Sequence, residues 1–292
     1  MTFFGRHLNP GVRRLVTVIA LAAAMLLLGS GASAFNFTTI DVPGAAHTAA
    51  QGISNAGDIS GWYVDANGTH GFLRSAGGAF TTFDVPGAAS TQAHGLNRHA
   101  QIVGEFTDAN GVTHGFTRKS NGSFKTLDFP GSQSTLAFGI NSRALIAGLY
   151  TDATGNTHGF LRDRGGPFHS IDVPGASSTA AFGVGDQGQV VGAYTDGTGQ
   201  HGFLRDANGN FTTIDVPGAV GTLVAGINHR GELVGFYDDG STLHGFLRDL
   251  TGTISTVDVP GASLTIVFGL ARRPLTGTYS DGSALHGFLA TP

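Results

Sequence analysis

The chain has 292 residues, with 16 Lys and Arg, 20 Asp and Glu and no cysteine, and its net charge is −4 at pH 7. The lack of cysteine excludes disulfides, and a chain of this length buries enough apolar surface to fold without them. The acidic balance argues against nucleic acid and anionic membrane surfaces as partners, because both bind basic faces.

The first 34 residues are predicted to be a secretory signal peptide. They begin with a basic stretch, continue as an apolar run over residues 15–28, and end on the small-residue cleavage signal Ala32-Ser33-Ala34. Cleavage is expected between Ala34 and Phe35. The apolar run has 14 residues whereas a membrane-spanning helix needs about 20, so an uncleaved anchor is the weaker alternative.

Cleavage would leave residues 35–292 as one domain of a bacterial protein that is secreted or periplasmic. The removed segment contains three arginines and no acidic residue. Subtracting these three leaves 13 basic against 20 acidic residues, a net charge of −7. We therefore expect a monomer with no nucleic-acid partner and no integral membrane span.

Two short phrases recur with steps of 42 to 44 residues and divide this domain into six repeats. One phrase is Asp-Val-Pro-Gly, with Phe in place of Val in one copy, and it begins at Asp41, Asp84, Asp128, Asp172, Asp215 and Asp258. The other is His-Gly-Phe, which begins at His70, His114, His158, His201, His244 and His286. Two independent phrases with one period exclude chance similarity.

The first repeat predicts four short strands separated by turn residues. Strands are expected over 37–42, 49–53, 58–64 and 70–74, with Gly, Pro, Asn or Asp residues between them. A glycine recurs inside the third of these strands in every repeat, first as Gly61. Glycine within a strand usually costs stability, so its repetition predicts close approach of neighbouring units. No segment after residue 34 carries a helical period.

Six four-stranded units of this length predict an all-β fold, a six-bladed β-propeller. The domain starts with a strand of the first type and ends after one of the fourth type. We therefore expect the N-terminal strand to join the last blade and close the ring, which leaves no open edge. A β-solenoid is the alternative, but it needs capping ends that the repeats lack.

The repeats resemble the HAF-type probable extracellular repeat family. Residues 226–228 read Gly-Ile-Asn, residues 231–237 read Gly-Glu-Leu-Val-Gly-Phe-Tyr, and residues 244–247 read His-Gly-Phe-Leu. The family pattern is Gly-Ile-Asn, Gly-x-Ile-Val-Gly and His-Ala-Phe, so Gly replaces Ala in all six copies. The resemblance covers nearly all of 35–290 and implies bacterial export and a propeller-like repeat, without a defined activity. The sixth repeat departs most, at the Ala-Arg-Arg-Pro of 271–274.

The residues shared by all repeats are predicted to be structural. Each His-Gly-Phe histidine is expected to bond a neighbouring backbone group or a turn aspartate. Metal binding is the alternative, but it needs three or four ligands within about 2.3 Å of one ion. The Asp-Val-Pro-Gly aspartates are expected to accept N–H groups of the Pro-Gly turn. A recurring Thr is predicted to latch neighbouring blades, at Thr48, Thr91, Thr135, Thr179, Thr222 and Thr265.

Candidate ligand-binding residues stand where the repeats differ. One position of the second strand, which we expect nearest the axis, we name the central position. It reads Gln51, His94, Phe138, Phe182, Ala225 and Phe268. The position after the in-strand glycine, the flanking position, reads Trp62, Glu105, Leu149, Ala193, Phe236 and Thr278. The site predicted at the channel mouth comprises Gln51, His94, Phe138, Phe182, Phe268, Trp62 and Glu105, and packing between blades is the alternative.

The sequence predicts no catalytic residues, no cofactor and no metal site. Residues 35–292 contain no zinc-protease, nucleophile-elbow or phosphate-loop motif, and the only glutamates, Glu105 and Glu232, lie in different repeats. The favoured function is an exported, non-catalytic binding or scaffold propeller for an extracellular glycan, cell-surface polymer or protein. The alternatives are a propeller hydrolase or lyase acting on an extracellular glycan or lactone, and a purely structural envelope role.

Overall fold

The computed structural model describes residues 35–292, so the predicted signal peptide lies outside the described residues. This range folds into 24 β-strands and contains no helix. Within it there is accordingly no helix of the length and apolarity that crossing a membrane requires. The prediction of an all-β chain is confirmed.

Each repeat supplies one strand to each of four classes. In chain order we name them outer, inner, second and third, so the second strand of the sequence analysis is here the inner strand and the third is here the second. The outer strands are β1 (Asn36–Ile40), β5 (Phe80–Phe83), β9 (Phe124–Leu127), β13 (Phe168–Ile171), β17 (Phe211–Ile214) and β21 (Ile254–Val257). The inner strands are β2 (His47–Ile53), β6 (Ser90–Leu96), β10 (Ser134–Ile140), β14 (Ser178–Val184), β18 (Gly221–Ile227) and β22 (Leu264–Leu270).

The second and third strands lie between these two classes. The second strands are β3 (Ile59–Asp65), β7 (Ile102–Thr107), β11 (Ile146–Thr151), β15 (Val190–Thr195), β19 (Leu233–Asp238) and β23 (Leu275–Ser280). The third strands are β4 (Gly68–Arg74), β8 (Thr113–Arg118), β12 (Thr157–Arg162), β16 (Gln200–Arg205), β20 (Leu243–Arg248) and β24 (Leu285–Thr291).

The strands form five hydrogen-bonded sheets. Four sheets have four strands each, in the orders β2-β3-β4-β5, β6-β7-β8-β9, β10-β11-β12-β13 and β1-β24-β23-β22. Strands β14 to β21 form one eight-stranded sheet, because a single parallel bridge joins Gln200 of β16 to Gly221 of β18. The structure therefore has four separate four-stranded sheets where six were predicted. Each half of the eight-stranded sheet keeps four antiparallel strands, so the difference from the prediction rests on this one bridge.

The inner strands stand side by side in a closed ring. Strand β2 contacts both β6 and β22, so the first and last repeats meet. Strand β1 pairs antiparallel with β24, with Asn36 opposite Thr291 and Ile40 opposite Gly287. The N-terminal strand therefore completes the last sheet, as the strand types at the two ends predict.

A register shift beside the central position marks every inner strand, and a glycine follows that position. A Cβ on Gly52 would lie 2.6 Å from the carbonyl oxygen of His94, and one on Gly269 would lie 2.7 Å from that of Gln51. These glycines therefore allow adjacent inner strands to meet. Gly61 was predicted to do so, but a Cβ there would meet the Phe72 ring of its own sheet.

The apolar core lies between neighbouring sheets. The phenylalanines of the His-Gly-Phe phrase are fully buried, at Phe72, Phe116, Phe160, Phe203, Phe246 and Phe288. Phe160 packs in one cluster with Val103 of the preceding sheet and with Ile146 and Ala137 of its own. Burial of each such ring stabilises the fold by about 1.5–3 kcal/mol, so the repeated phrase supplies the main apolar contacts between sheets.

The recurring threonines latch each outer strand to the next inner strand. The Val42 N–H donates to the Thr48 hydroxyl over 3.1 Å, and the same bond is present in the other five copies. The predicted role of the Asp-Val-Pro-Gly aspartates is therefore wrong, since the threonine accepts the turn N–H. Because this bond joins different sheets in five copies, and the two halves of the eight-stranded sheet at Thr222, the predicted latch is confirmed.

Candidate functional site

A central cavity of about 600 Å³ lies inside the ring of inner strands. All six central positions line it, because the bulge in each inner strand redirects that side chain. The structure therefore brings together five of the predicted site residues, namely Gln51, His94, Phe138, Phe182 and Phe268.

The flanking positions divide between the cavity and the protein interior. Glu105, Leu149, Ala193 and Phe236 line the cavity. Trp62 is not part of the wall, and it is only 4% exposed because protein atoms enclose its large ring. The structure removes Trp62 from the candidate site and keeps Glu105.

One side of the cavity is apolar and is built mainly by the third, fourth and fifth repeats. The rings of Phe138 and Phe182 have centroids 4.8 Å apart, within the range of favourable aromatic pairs. Leu149 and Leu223 are buried beside them. Such a surface can hold an apolar body of a ligand but offers no hydrogen bonds to it.

The second repeat supplies a polar group of side chains, Gln92, His94 and Glu105, which we name the polar pole. Gln92 of β6 stands opposite Glu105 of β7 in the strand register. The Nε2 atom of His94 lies 3.7 Å from Oε2 of Glu105, which is too long for a hydrogen bond. The two side chains are 7% and 16% exposed.

The polar pole is not satisfied by the protein. Neither ring nitrogen of His94, nor Oε2 of Glu105, nor Oε1 of Gln92 has a hydrogen-bond partner in the described range. A buried polar group without a partner costs about 1–3 kcal/mol, so native proteins rarely keep several together without a role for them. The three residues line a cavity of ligand size, which makes them candidate ligand contacts.

The wall residues that sequence reasoning missed include two glutamines, Gln92 and Gln200, whose Oε1 atoms are both unpaired. The position of Gln92 reads Ala49, Gln92, Leu136, Ala180, Leu223 and Ile266 across the repeats. Its single polar member was a signal that the same comparison of repeats could have used. Gln200 replaces the Thr or Leu that precedes the His-Gly-Phe phrase elsewhere.

The six repeated histidines form a different region, which we name the histidine rim. Each Nδ1 atom lies 2.7–3.1 Å from an Asp-Val-Pro-Gly aspartate. Each Nε2 atom faces a turn aspartate at 3.2–3.8 Å. An aromatic ring packs against every imidazole with centroids 5.1–5.2 Å apart. The histidines therefore join the third strand to the outer strand and to the turn.

The aspartates of the rim change how its histidines bind protons. Asp41 accepts a 2.8 Å bond from Nδ1 of His286, which raises the pKa of that histidine. Asp258 raises the pKa of His244 in the same way. The backbone N–H groups of Ala284 and Ser283 lower the pKa of Asp281 by donating to its carboxylate. These contacts favour the charged imidazole at His244 and His286 and the charged carboxylate at Asp281.

Among residues 35–292, no cluster of three or more His, Asp or Glu side chains is arranged to hold a metal ion. The two carboxylates at each rim histidine lie on opposite edges of its ring. Because they do not converge on one point, the rim histidines and aspartates act as hydrogen-bonded pairs.

No protein-family model matches the chain, and no curated protein matches it. Similar solved structures include a catalytically inactive virginiamycin B lyase from Staphylococcus aureus with quinupristin, at 10% identity, TM-score 0.54, and coverage of 89% of this chain and 100% of that one. A gluconolactonase from Xanthomonas campestris has 14% identity, TM-score 0.54, and coverage of 88% and 90%.

A third similar structure is the β-propeller domain of the Trilobed protease from Pyrococcus furiosus. It has 9% identity and a TM-score of 0.50, and the match covers 85% of this chain and 94% of that one. At such identities the likeness concerns the fold alone. With the closed ring of inner strands, it confirms that the chain is an all-β propeller.

Proposed function

We propose that the chain is an exported binding protein that holds a small amphipathic molecule in its central cavity. This proposal rests on the wall of the cavity of about 600 Å³, which has an apolar side and a polar pole whose atoms lack hydrogen-bond partners. Ligand sites are mostly apolar with a few placed polar groups, which is the composition found here. The rim does not compete for this role, because its aspartates already engage the histidines.

The cavity narrows the ligand classes that the sequence left open. A glycan or other extended polymer would bury many hydroxyl groups, and each one against the Phe138 and Phe182 side would lose a hydrogen bond. A protein partner would use the outer loops and leave the polar pole unpaired. A compact molecule with one polar end fits the wall best.

The proposal also includes the number of blades, the family and the export of the chain. We count six blades, because the eight-stranded sheet contains two sets of four antiparallel strands joined by one bridge. Membership of the HAF-type repeat family, export by the signal peptide, release or retention in the periplasm, and a monomeric state are proposed on the sequence features given above.

Purified protein tests the binding proposal by titration with the neutral amphipathic dye Nile red. Replacing Phe182 with Trp would occupy part of the cavity, and we expect about tenfold weaker dye binding with little change in melting temperature. The control is Leu250→Ala, which removes an apolar side chain that is 63% exposed and does not line the cavity. Unchanged binding in the Phe182 variant, or no binding to the parent, would contradict the proposal.

A second candidate is a hydrolase or lyase that uses the polar pole for proton transfer. The specific observation is the 3.7 Å approach of His94 and Glu105 at the cavity wall, since a histidine beside a carboxylate can act as a general base. The names of the lyase and the gluconolactonase support this candidate. For a lactone or cyclic ester substrate, His94→Ala should lower kcat/KM by about 10²–10⁴-fold. No turnover of such esters by the parent protein would rule it out.

A further inference from the structure

We propose that the cavity ligand is an organic cation, a protonated amine with an apolar body, and that its ammonium group binds Glu105. This inference rests on the proposed binding function and names the chemical class of the ligand. It follows from the charges on the wall, from the unpaired atoms of the polar pole and from the aromatic rings beside it.

Among residues 35–292, the wall carries one carboxylate and no permanently positive side chain. Within that range Glu105 is the only acidic lining residue, and no Lys or Arg lines the cavity. Among the lining residues the other ionisable side chains are His94 and Tyr194. A ligand carboxylate would therefore meet repulsion, whereas a cation would supply the missing opposite charge.

The polar pole also has more acceptors than donors. Oε2 of Glu105 and Oε1 of Gln92 are unpaired, and they stand on neighbouring strands opposite each other. Both atoms only accept hydrogen bonds, so their partner must bring N–H or O–H donors. An ammonium group brings three, together with a charge that strengthens each bond.

Aromatic rings continue from the polar pole into the apolar side. The rings of His94 and Phe138 have centroids 4.8 Å apart, and Phe182 follows at 4.8 Å from Phe138. A cation near the face of a Phe ring gains about 0.5–2 kcal/mol, and the apolar body can extend over the leucines behind it. One short amphipathic amine can thus satisfy both sides of the wall.

His94 is the wall residue whose side chain, when protonated, would supply the positive charge that we assign to the ligand. A protonated imidazole 3.7 Å from Oε2 of Glu105 would provide a counter-charge from within the protein. The measurement is therefore made at pH 8, where imidazoles are mostly neutral.

The test is isothermal titration of the full protein at pH 8 with 3-phenylpropylamine, 3-phenylpropanol and 3-phenylpropionate, which share one apolar body. We expect the amine to bind about tenfold or more tightly than the alcohol, because hydrogen bonds to charged groups are the stronger ones. The carboxylate should bind weakest. Equal affinity of alcohol and amine, or preference for the carboxylate, overturns the inference while the proposed binding function stands. Binding of none of the three overturns both.

Variants of the two glutamates locate the effect. Glu105→Gln keeps the shape and removes the charge, so the preference for amine over alcohol should fall to about threefold or less, whereas Glu105→Asp should retain part of it. Glu232→Gln is the matched control, since Glu232 accepts a bond from Asn228 in a turn away from the cavity. An unchanged amine preference in a folded Glu105→Gln protein overturns the inference.

Discussion

The histidine rim and the cavity wall each collect residues from all six repeats, but from different positions within the repeat, and the two regions differ in chemistry. On the rim every repeat places the same histidine between two aspartates, and the Nδ1 distances vary only from 2.7 to 3.1 Å. On the wall the central position changes from Gln51 to His94 to Phe138 in successive repeats. In this molecule, residues shared by the repeats hold the ring together, and residues that differ create the candidate site.

The two regions also differ in how completely their polar atoms are paired. Rim carboxylates engage both ring nitrogens of a histidine such as His286. In the polar pole His94 has no hydrogen bond at either nitrogen. A paired network stabilises the fold, whereas an unpaired one costs stability unless a ligand completes it. This difference makes the wall, and not the rim, the place to seek a ligand.

The largest expected effect separates shared from variable phenylalanines. Phe160→Ala removes a fully buried ring between sheets and should lower the free energy of unfolding by about 3–5 kcal/mol. Phe138→Ala makes the same chemical change at the partly exposed wall and should cost less than half as much. Urea denaturation measures both values. Equal losses would show that the wall is ordinary core.

An intermediate effect is expected at the latch between an outer and an inner strand. Thr179→Val preserves shape but leaves the N–H of Val173 without its 3.0 Å acceptor. The free energy of unfolding should fall by about 1–3 kcal/mol, since the part-buried N–H loses its only acceptor. Thr179→Ser keeps the hydroxyl and serves as the control. A loss in the Ser variant as large as in the Val variant would assign the effect to packing.

The smallest effect is the pH dependence of the rim. Folding raises the pKa of His244 and His286, so their stabilisation is complete below the usual histidine pKa of about 6.5 and is lost as pH rises through the raised values. Asp281 has a lowered pKa, so its stabilisation is lost as pH falls below about 4. The melting temperature should therefore be highest between about pH 4 and 6.5.

Differential scanning calorimetry from pH 4 to 9 measures this profile. Replacing both His244 and His286 with Gln should flatten the decline above neutral pH, because Gln does not titrate. A parent melting temperature that rises from pH 6 to 8 would contradict the sign of the histidine contribution.

Prediction from the sequence succeeded for the strands, because the residues of one short segment are enough to indicate a strand. The expected strand at 49–53 lies within His47–Ile53, and the expected strand at 70–74 lies within Gly68–Arg74. The expected turn aspartates are indeed partners of the rim histidines, as Asp239 is of His244. Prediction failed where the partner of a side chain comes from elsewhere. The Asp-Val-Pro-Gly partners of the first five rim histidines are 14 residues distant, as Asp84 is from His70, and Asp41 meets His286 from the far end of the chain. The error at Gly61 has the same origin, since a strand pattern does not tell which sheet faces a glycine.

The sequence by itself determined the number of repeats, the strand order within each of them and the positions at which they differ, because hydrophobic alternation and turn residues act over a few neighbours. Only the tertiary structure decided that Glu105 faces the cavity while Trp62 is enclosed, and that Gln92 and His94 share one pole. It also decided that one bridge merges two sheets. These outcomes depend on the distance between strands and on the space around each side chain, which are set when the ring closes.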